Sequence, residues 1–379
     1  MKNKFDTRLV HGSGTHGASL VGKGVVPGIE LSTTFERSDP RSTDEYIYSR
    51  TNNPNRDELE ERICSLENGA AAAAFASGSA ASMAVFQSLP AGSHVIVTGD
   101  AYYGTLLQLN KLVTRMGHSV SAVDTSNVSN VENAWQDNTA LVWIETPSNP
   151  QMNVSDIRSI AELAHARGAK VGCDNTLATC LWQQPLELGA DFSMHSSTKF
   201  LGGHSDVLGG VIIARSNDEM FARVREAQQI GGAVPSPFDC WLLLRSIATL
   251  SVRVRQQTKS ADTLARHFSD FPGVQRVLYV GLESHPGYAL NKTQMERGGA
   301  LLSLLIDGTA DQAIQVASHT RVIKQATSLG GVESLIEHRY SVEGETSVSP
   351  PNLLRLSVGL EDPEDLIEDL EHAIAKAFG

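Results

Sequence analysis

The chain has 379 residues, 41% of them hydrophobic and 20% charged, more than one hydrophobic core usually serves, so two domains are expected. Its formal net charge of −12 excludes a protein that grips nucleic acid or anionic lipid by bulk attraction, and any anion must be held locally. The N-terminal MKNKFDTRLV lacks a signal-peptide core, and Cys64, Cys173, Cys180 and Cys240 form no CxxC pair or tight framework, so the expectation is a cytoplasmic protein with reduced thiols.

The first 45 residues are Gly-rich and weakly periodic, an arm rather than a domain. Within them Gly12 to Gly17 match GxGxxG, but glycines and a proline follow where the dinucleotide motif needs a helix. The uncharged stretch from Gly69 to Gly99 is interrupted by polar residues and reads as a packed helix and strand, not a membrane span. In it, FASGSAASMAVF leads small residues into an apolar helical run. The amides of Gly78 and Ser79 then sit at a helix N-terminus, which is either a phosphate seat or a plain small-residue entry.

Strands are predicted at VIVTGD (from 95), HSVSAVD (118), TALVWIE (139), AKVGCD (169) and GVIIA (210). Between the third and fourth, VSDIRSIAELAHARG predicts a helix capped by Ser155, apolar at Ile157, Ile160, Ala161 and Ala164, and stopped by Gly168. Strand, helix and strand at this spacing imply an α/β fold with a mostly parallel central sheet and helices on both faces. Its ligand site lies beyond the carboxyl ends of the strands. Those ends carry Asp100 with Tyr102, Glu145 with Thr146 and Pro147, and Asp174-Asn175-Thr176.

After Gly231 the pattern changes to a long helical region from about Asp239 to Phe268, then strands QRVLYV, ALLSLLI and LLRLSV, and the amphipathic PEDLIEDLEHAIAKAF. This is a smaller C-terminal α/β domain that packs firmly on the first and shares a cleft with it. The expected division is an arm over 1–45, a large domain over 46–240 and a small domain over 241–379.

The chemistry concentrates in HSSTKFLGGHSDVLGG. His195 and His204 flank Lys199, but no third ligand stands at zinc spacing, and they read as hydrogen-bonding structure. A lone lysine is expected in solvent. Here Ser196 and Thr198 offer hydroxyls, and Gly202 and Gly203 let backbone approach something bulky. A partly desolvated amine loses its proton more easily and becomes a nucleophile toward aldehydes. Tyr48 and Arg50, in YIYSRTNNPN, add a hydroxyl and a guanidinium suited to phosphate. An aldehyde-binding lysine with a phosphate seat points to pyridoxal 5′-phosphate. Asp174 would then pair with the pyridinium nitrogen, a charge-assisted bond of about 1.5–3 kcal/mol. Tyr102 either stacks on the ring or is a half-buried core tyrosine.

Ten blocks in order, from TTFER, YSRTNNPN, ASGSAA, DAYYGT and ETPSNP to CDNTLA, HSSTKFLGGHSDVLGG, YVGLESHP, SLGGVESL and LRLSVGLED, resemble the Cys/Met-metabolism family of pyridoxal-phosphate enzymes. The resemblance implies a fold type I transferase acting on a small amino acid. In it Lys199 carries the cofactor as a Schiff base and later acts as the base at Cα, and Asp174 faces the ring nitrogen. Gly78, Ser79, Thr176, Ser196 and Thr198 line the cofactor seat, with Asn149 at the ring hydroxyl. Tyr102 assists at the leaving group or incoming amine. Arg355, helped by Ser328, Asn149 and Tyr48, receives the substrate. Tyr48 and Arg50 complete the phosphate seat from a neighbouring subunit, so the expected assembly is a homotetramer with shared sites.

Several positions depart from the family pattern. Ser79 replaces a methionine or leucine, Tyr103 a glycine, Asn55 a threonine, and Thr327 a glutamate common in γ-enzymes. Arg339 follows His338 in place of proline, and either reads an acidic substrate tail or is solvated. Ser328-Leu329 leans toward γ-type enzymes. The expected reaction is γ-elimination or γ-replacement, as in cystathionine γ-lyases and γ-synthases. Within the family, O-acetylhomoserine sulfhydrylase, methionine γ-lyase and cystathionine β-lyase compete; outside it, a nucleotide-dependent oxidoreductase or a non-catalytic scaffold.

Overall fold

The computed structural model describes residues 3–12, 24–41 and 45–379. Seven strands, β1 (Ala71–Phe75), β2 (His94–Thr98), β3 (Ser119–Val123), β4 (Thr139–Glu145), β5 (Lys170–Asp174), β6 (Phe192–His195) and β7 (Gly210–Ala214), build one sheet in the order β1-β7-β6-β5-β4-β2-β3. The run from β3 to β6 is parallel, whereas β7 is antiparallel to both β6 and β1. A parallel sheet needs crossovers that cover both faces, so its central strands are apolar throughout. In β4, Leu141 and Trp143 pack with Val85 and Phe86, while Val142 and Ile144 pack on the other face with Ile157 and Ile160.

Two strands of this sheet escape the sequence reading. The run AAAAF of β1 is alanine, a helix former, and becomes a strand because it pairs residue by residue with β7. β6 has only four residues, too few for a periodicity. The helix Ile157–Ala166 presents the expected buried face, but its cap is Asp156, whose Oδ1 accepts from the Ser159 amide at 3.0 Å. Ser155 is instead buried with its hydroxyl 2.7 Å from that of Thr125. Gly168 follows the helix at φ 78°, the left-handed turn that glycine permits.

The expected long helix after Asp239 is two helices, Pro237–Ile247 and Leu250–Phe268. Ser236 caps the first and Pro237 opens it. Residues 240 and 241 lie inside that helix, whose Leu243 and Ile247 share a core with Leu59 and Ile63. The second sheet comprises β8 (Val274–Leu278), β9 (Leu301–Ile306), β10 (Lys324–Gln325), β11 (Leu335–His338) and β12 (Leu353–Ser357), ordered β10-β11-β12-β9-β8. All its pairings are antiparallel except β10 with β11. The helices Leu250–Phe268 and Pro363–Phe378 enclose its core through Leu264, Phe268, Leu366 and Leu370. No described helix is long and apolar enough to cross a membrane. Of the GxGxxG match only Gly12 is described, and residues 13–17 lie outside the described residues.

Gly172, in the middle of β5, lies under the ring of Trp143: a Cβ there would meet Cε3 at 2.5 Å and Cζ3 at 2.8 Å. Gly172→Ala should therefore overpack the sheet and cost about 1–3 kcal/mol. A lowered midpoint in urea unfolding is the expected result, and an unchanged midpoint would show that the indole can step aside.

Candidate active site

Side chains alternate along a strand, so Gly172 and Asp174 point to one face of β5, as Trp143 and Glu145 do on β4. In register, Glu145 stands directly beside Asp174. The helix Gly78–Gln87 packs on this same face. Both carboxyls, the helix N-terminus and the turn carrying Lys199 thus converge on one cleft of about 350 Å³. It opens beyond the carboxyl ends of the parallel strands, and its far wall is the second sheet with Arg355.

Ser77 caps the helix by accepting from the Ala80 amide at 3.1 Å. The Gly78 backbone lies so close to the loop after β6 that a Cβ would stand 2.9 Å from both Cβ and Oγ of Ser196. That loop is fixed in turn: the Ser196 amide donates to Thr176 Oγ1 at 2.9 Å, and the Thr198 hydroxyl accepts from the Gly209 amide at 3.0 Å. Ser79 also lines the cleft, and its carbonyl accepts from Gln108 Nε2 at 2.6 Å.

Lys199 reaches into the cleft and donates from Nζ to Ser328 Oγ at 2.9 Å. Burial first, and the Arg355 charge next, lower its amine from 10.5 to about 8. Ser328 has φ 90° and serves two partners, because its carbonyl also accepts from Arg355 Nη2 at 2.9 Å. Arg355 donates further to Asn149 Oδ1 at 3.2 Å and is ion-paired with Glu337. Burial lowers it to about 10 against the supporting charge of Glu337.

Burial raises Asp174, opposed by hydrogen bonds from Thr176 and by the charges of His195 and Lys199. Its Oδ1 accepts from the Thr176 amide at 3.0 Å. Glu145 is raised well above the carboxylate range, by burial and then by the neighbouring Asp174 charge. Its Oε2 accepts from the Tyr102 amide at 2.7 Å, which fixes the start of the turn on which Tyr102 stands. The Tyr102 ring lies over Gly104, where a Cβ would come within 2.4 Å of Cε1, and it remains 43% exposed to the cleft. It is therefore not a core residue.

The chain matches the family described as Cys/Met metabolism PLP-dependent enzyme over residues 6–375. It belongs to that family. Among curated relatives it is 41% identical to a cystathionine γ-lyase of Dictyostelium discoideum, covering 98% of both chains. It is 42% identical to a cystathionine γ-synthase of Mycobacterium tuberculosis, over 87% of this chain and 86% of the relative. Among solved structures it superposes on apo CalE6, a methionine γ-lyase from Micromonospora echinospora, with a TM-score of 0.91 at 41% identity, covering 98% of this chain and 99% of that one.

The chain is thus a pyridoxal-phosphate-dependent enzyme of the fold type I, α/β kind. Membership sets aside a nucleotide-dependent oxidoreductase and a non-catalytic scaffold. The residues present fit the cofactor. The glycine at 78 lets the helix N-terminus lie against the Ser196 loop, its amides suit a phosphate, and a lysine lowered to about 8 stands in one cleft with a buried carboxylate.

Of the residues expected at the site, Gly78, Ser79, Tyr102, Asn149, Asp174, Thr176, Ser196, Thr198, Lys199, Ser328 and Arg355 all line the cleft. So do Tyr103 and Thr327. Tyr48 and Arg50 do not: the Arg50 guanidinium lies 5.6 Å over the Tyr48 ring and donates to the Gln229 carbonyl. Arg339 is not solvated, since it is 5% exposed and paired with both Glu337 and Glu343, and it lines the cleft. Those two carboxylates went unread in the sequence. The only signal for Glu337 is its place beside Leu335 and Ile336 in SLIEH, and its partner is set by a strand pairing, with Arg355 across from it. His195 is buried against Glu67 and lies behind the site.

Only an unprotonated amine attacks an aldehyde, so the pH at which Lys199 discharges is open to measurement. Apoprotein mixed with pyridoxal phosphate should capture it faster as pH rises, with a midpoint near the value of about 8 that burial gives Lys199. A midpoint at the ordinary 10.5, followed by absorbance, would show that the cleft does not desolvate the amine.

Proposed function

We propose that the chain catalyses elimination or replacement at the γ-carbon of a homoserine- or cystathionine-type amino acid, in the manner of cystathionine γ-lyases and γ-synthases. One observation carries the reading: Ser328 joins a nucleophilic amine to a carboxylate-binding guanidinium, taking Lys199 on its hydroxyl and Arg355 on its carbonyl. An amino acid whose carboxylate sits on Arg355 therefore brings its Cα to Lys199.

The cofactor, when bound, supplies an electron sink for the pair left when the Cα–H bond breaks. The amides of Gly78 and Ser79 and the hydroxyls of Ser196 and Thr198 would hold its phosphate. For Thr198 this means giving up a 3.2 Å bond to the Gly209 carbonyl. Tyr48 and Arg50, outside the cleft of their own chain, would complete the seat from a second subunit, within a homotetramer. Asp174 would keep a proton on the ring nitrogen, with Thr176 orienting it, and Tyr102 would stack on the ring.

Arg355, Asn149 and Ser328 would orient the substrate carboxylate. Lys199 would take the proton from Cα and carry protons to and from Cβ, with Tyr102 as the helper for the leaving group. Elimination of a substituent X from the γ-carbon then gives HX, and addition of water gives 2-oxobutanoate and ammonia. Replacement by a thiol gives the thioether and HX. The likeness to a methionine γ-lyase favours a second reading, with methionine as substrate. Four unpaired cysteines support a cytoplasmic location.

A panel of cystathionine, O-acetyl- and O-succinylhomoserine, methionine and cysteine, with and without thiol, decides among these. We expect 2-oxobutanoate from at least one γ-substituted substrate, and a fall of about a thousandfold or more in Lys199→Ala. Pyruvate from cystathionine without 2-oxobutanoate would overturn γ-specificity.

A further inference from the structure

Three cations line the cleft among the described residues: Lys199, Arg355 and Arg339. Two have work in the proposed reaction. The third is the departure from the family pattern, and its surroundings define what the cleft can recognise beyond the α-carboxylate.

Arg339 Nη1 donates to Glu337 Oε2 at 2.8 Å, while Nε and Nη2 donate to Glu343 Oε1 at 3.0 and 2.6 Å. The other oxygen of Glu343 accepts from the hydroxyls of Ser347 and Ser349. Glu337 Oε2 also pairs with Arg355. Two guanidiniums and two carboxylates thus form one buried cluster of zero net charge. All four residues are less than a tenth exposed.

Turning Arg339 toward a ligand would leave Glu343 buried without its cation, the most costly way to break such a pair. An acidic tail entering the cleft would lose its water and find no free cation there. At the mouth Leu208 and Val342 are 59% and 58% exposed, and Tyr103 closes toward the second sheet with its hydroxyl 3.0 Å from Thr346 Oγ1; Lys324 lies in the adjoining hollow past Leu208, together with Asp206 and Glu333. Arg50, which the proposed assembly would bring from a second subunit, is committed there to phosphate.

Resting on the γ-carbon reading above and narrowing it, we propose that the cleft selects amino acids whose γ-substituent carries no charge, such as an alkyl thioether or an acetyl ester, over cystathionine and O-succinylhomoserine, whose γ-substituents end in a carboxylate. It disfavours those with a second carboxylate, because Arg339 is already ion-paired with both Glu337 and Glu343. Glu337 and Glu343 are positioning residues in this scheme, holding Arg339 away from substrate and leaving Arg355 to the α-carboxylate.

The test uses binding, so that it stands apart from turnover. Norleucine and 2-aminoadipate have chains of equal length and no γ-leaving group, and differ by a terminal carboxylate. Their Kd values on the cofactor-loaded protein can be read from the cofactor's absorbance. Norleucine should bind at least about tenfold tighter, the scale of discrimination against a poorly matched charge. Glu343→Gln leaves Arg339 half-compensated, and the ratio should narrow to about threefold or less. Equal or tighter binding of 2-aminoadipate to the native protein would overturn the proposal, as would an unchanged ratio in a Glu343→Gln variant that keeps the cofactor band. Should that variant not fold, the native ratio alone decides. Failure of γ-chemistry with the binding preference intact would count against the reaction and not against this selectivity.

Discussion

The site depends on keeping the Lys199 amine out of water beside a second cation. Desolvation and the Arg355 charge both favour the neutral amine, and together they bring it to about 8. The structure sets this up from two sides. The strand-end turn after β6 delivers Lys199, and the second sheet delivers Arg355, with Ser328 bonded to both. The turn holding Ser328 is itself seated on the lysine's own backbone. A Cβ at Gly330, where φ is 80°, would stand 2.6 Å from the Phe200 amide nitrogen. The backbone segments that carry Lys199 and Ser328 are therefore packed directly on each other, and Ser328 holds both the amine and the guanidinium.

Much of this was legible in the sequence because strand ends announce themselves. VIVTGD, TALVWIE and AKVGCD each run apolar and then stop on an acid, and in a parallel sheet such stops gather at one edge. That places Asp174, Glu145 and Tyr102 without any knowledge of packing. Gly78 and Lys199 were legible through their small neighbours. Ser155 and Asp156 are both capping residues, and the choice between them rests on a long-range contact: Thr125 draws the Ser155 hydroxyl inward and leaves Asp156 to cap.

The illegible part is everything decided by pairing between distant segments. The alanines of β1 carry no strand signal of their own. Arg339 in HRYSVEGE reads equally as a substrate contact or a solvated residue until β11 and β12 are laid side by side, which puts Glu337 across from Arg355. Once that is done, the arginine has a carboxylate two residues before it and another one helical turn after it, and burial follows from the pairing. A substitution for proline at this position could have added a free cation to the site. The accompanying Glu343, with Ser347 and Ser349 behind it, cancels the charge where it arises.

A similar balance operates on the opposite wall. Glu145 and Asp174 stand side by side in the paired strands, and two buried carboxyls so placed do not both ionise readily. Asp174 has the Thr176 hydrogen bonds, His195 and Lys199 around it, whereas Glu145 has chiefly the Tyr102 amide and two acidic neighbours, Asp174 and Asp100. Burial raises both, and Glu145 well above the carboxylate range. When Lys199 gives up its charge to act as a nucleophile, Asp174 loses one of the cations that oppose this rise.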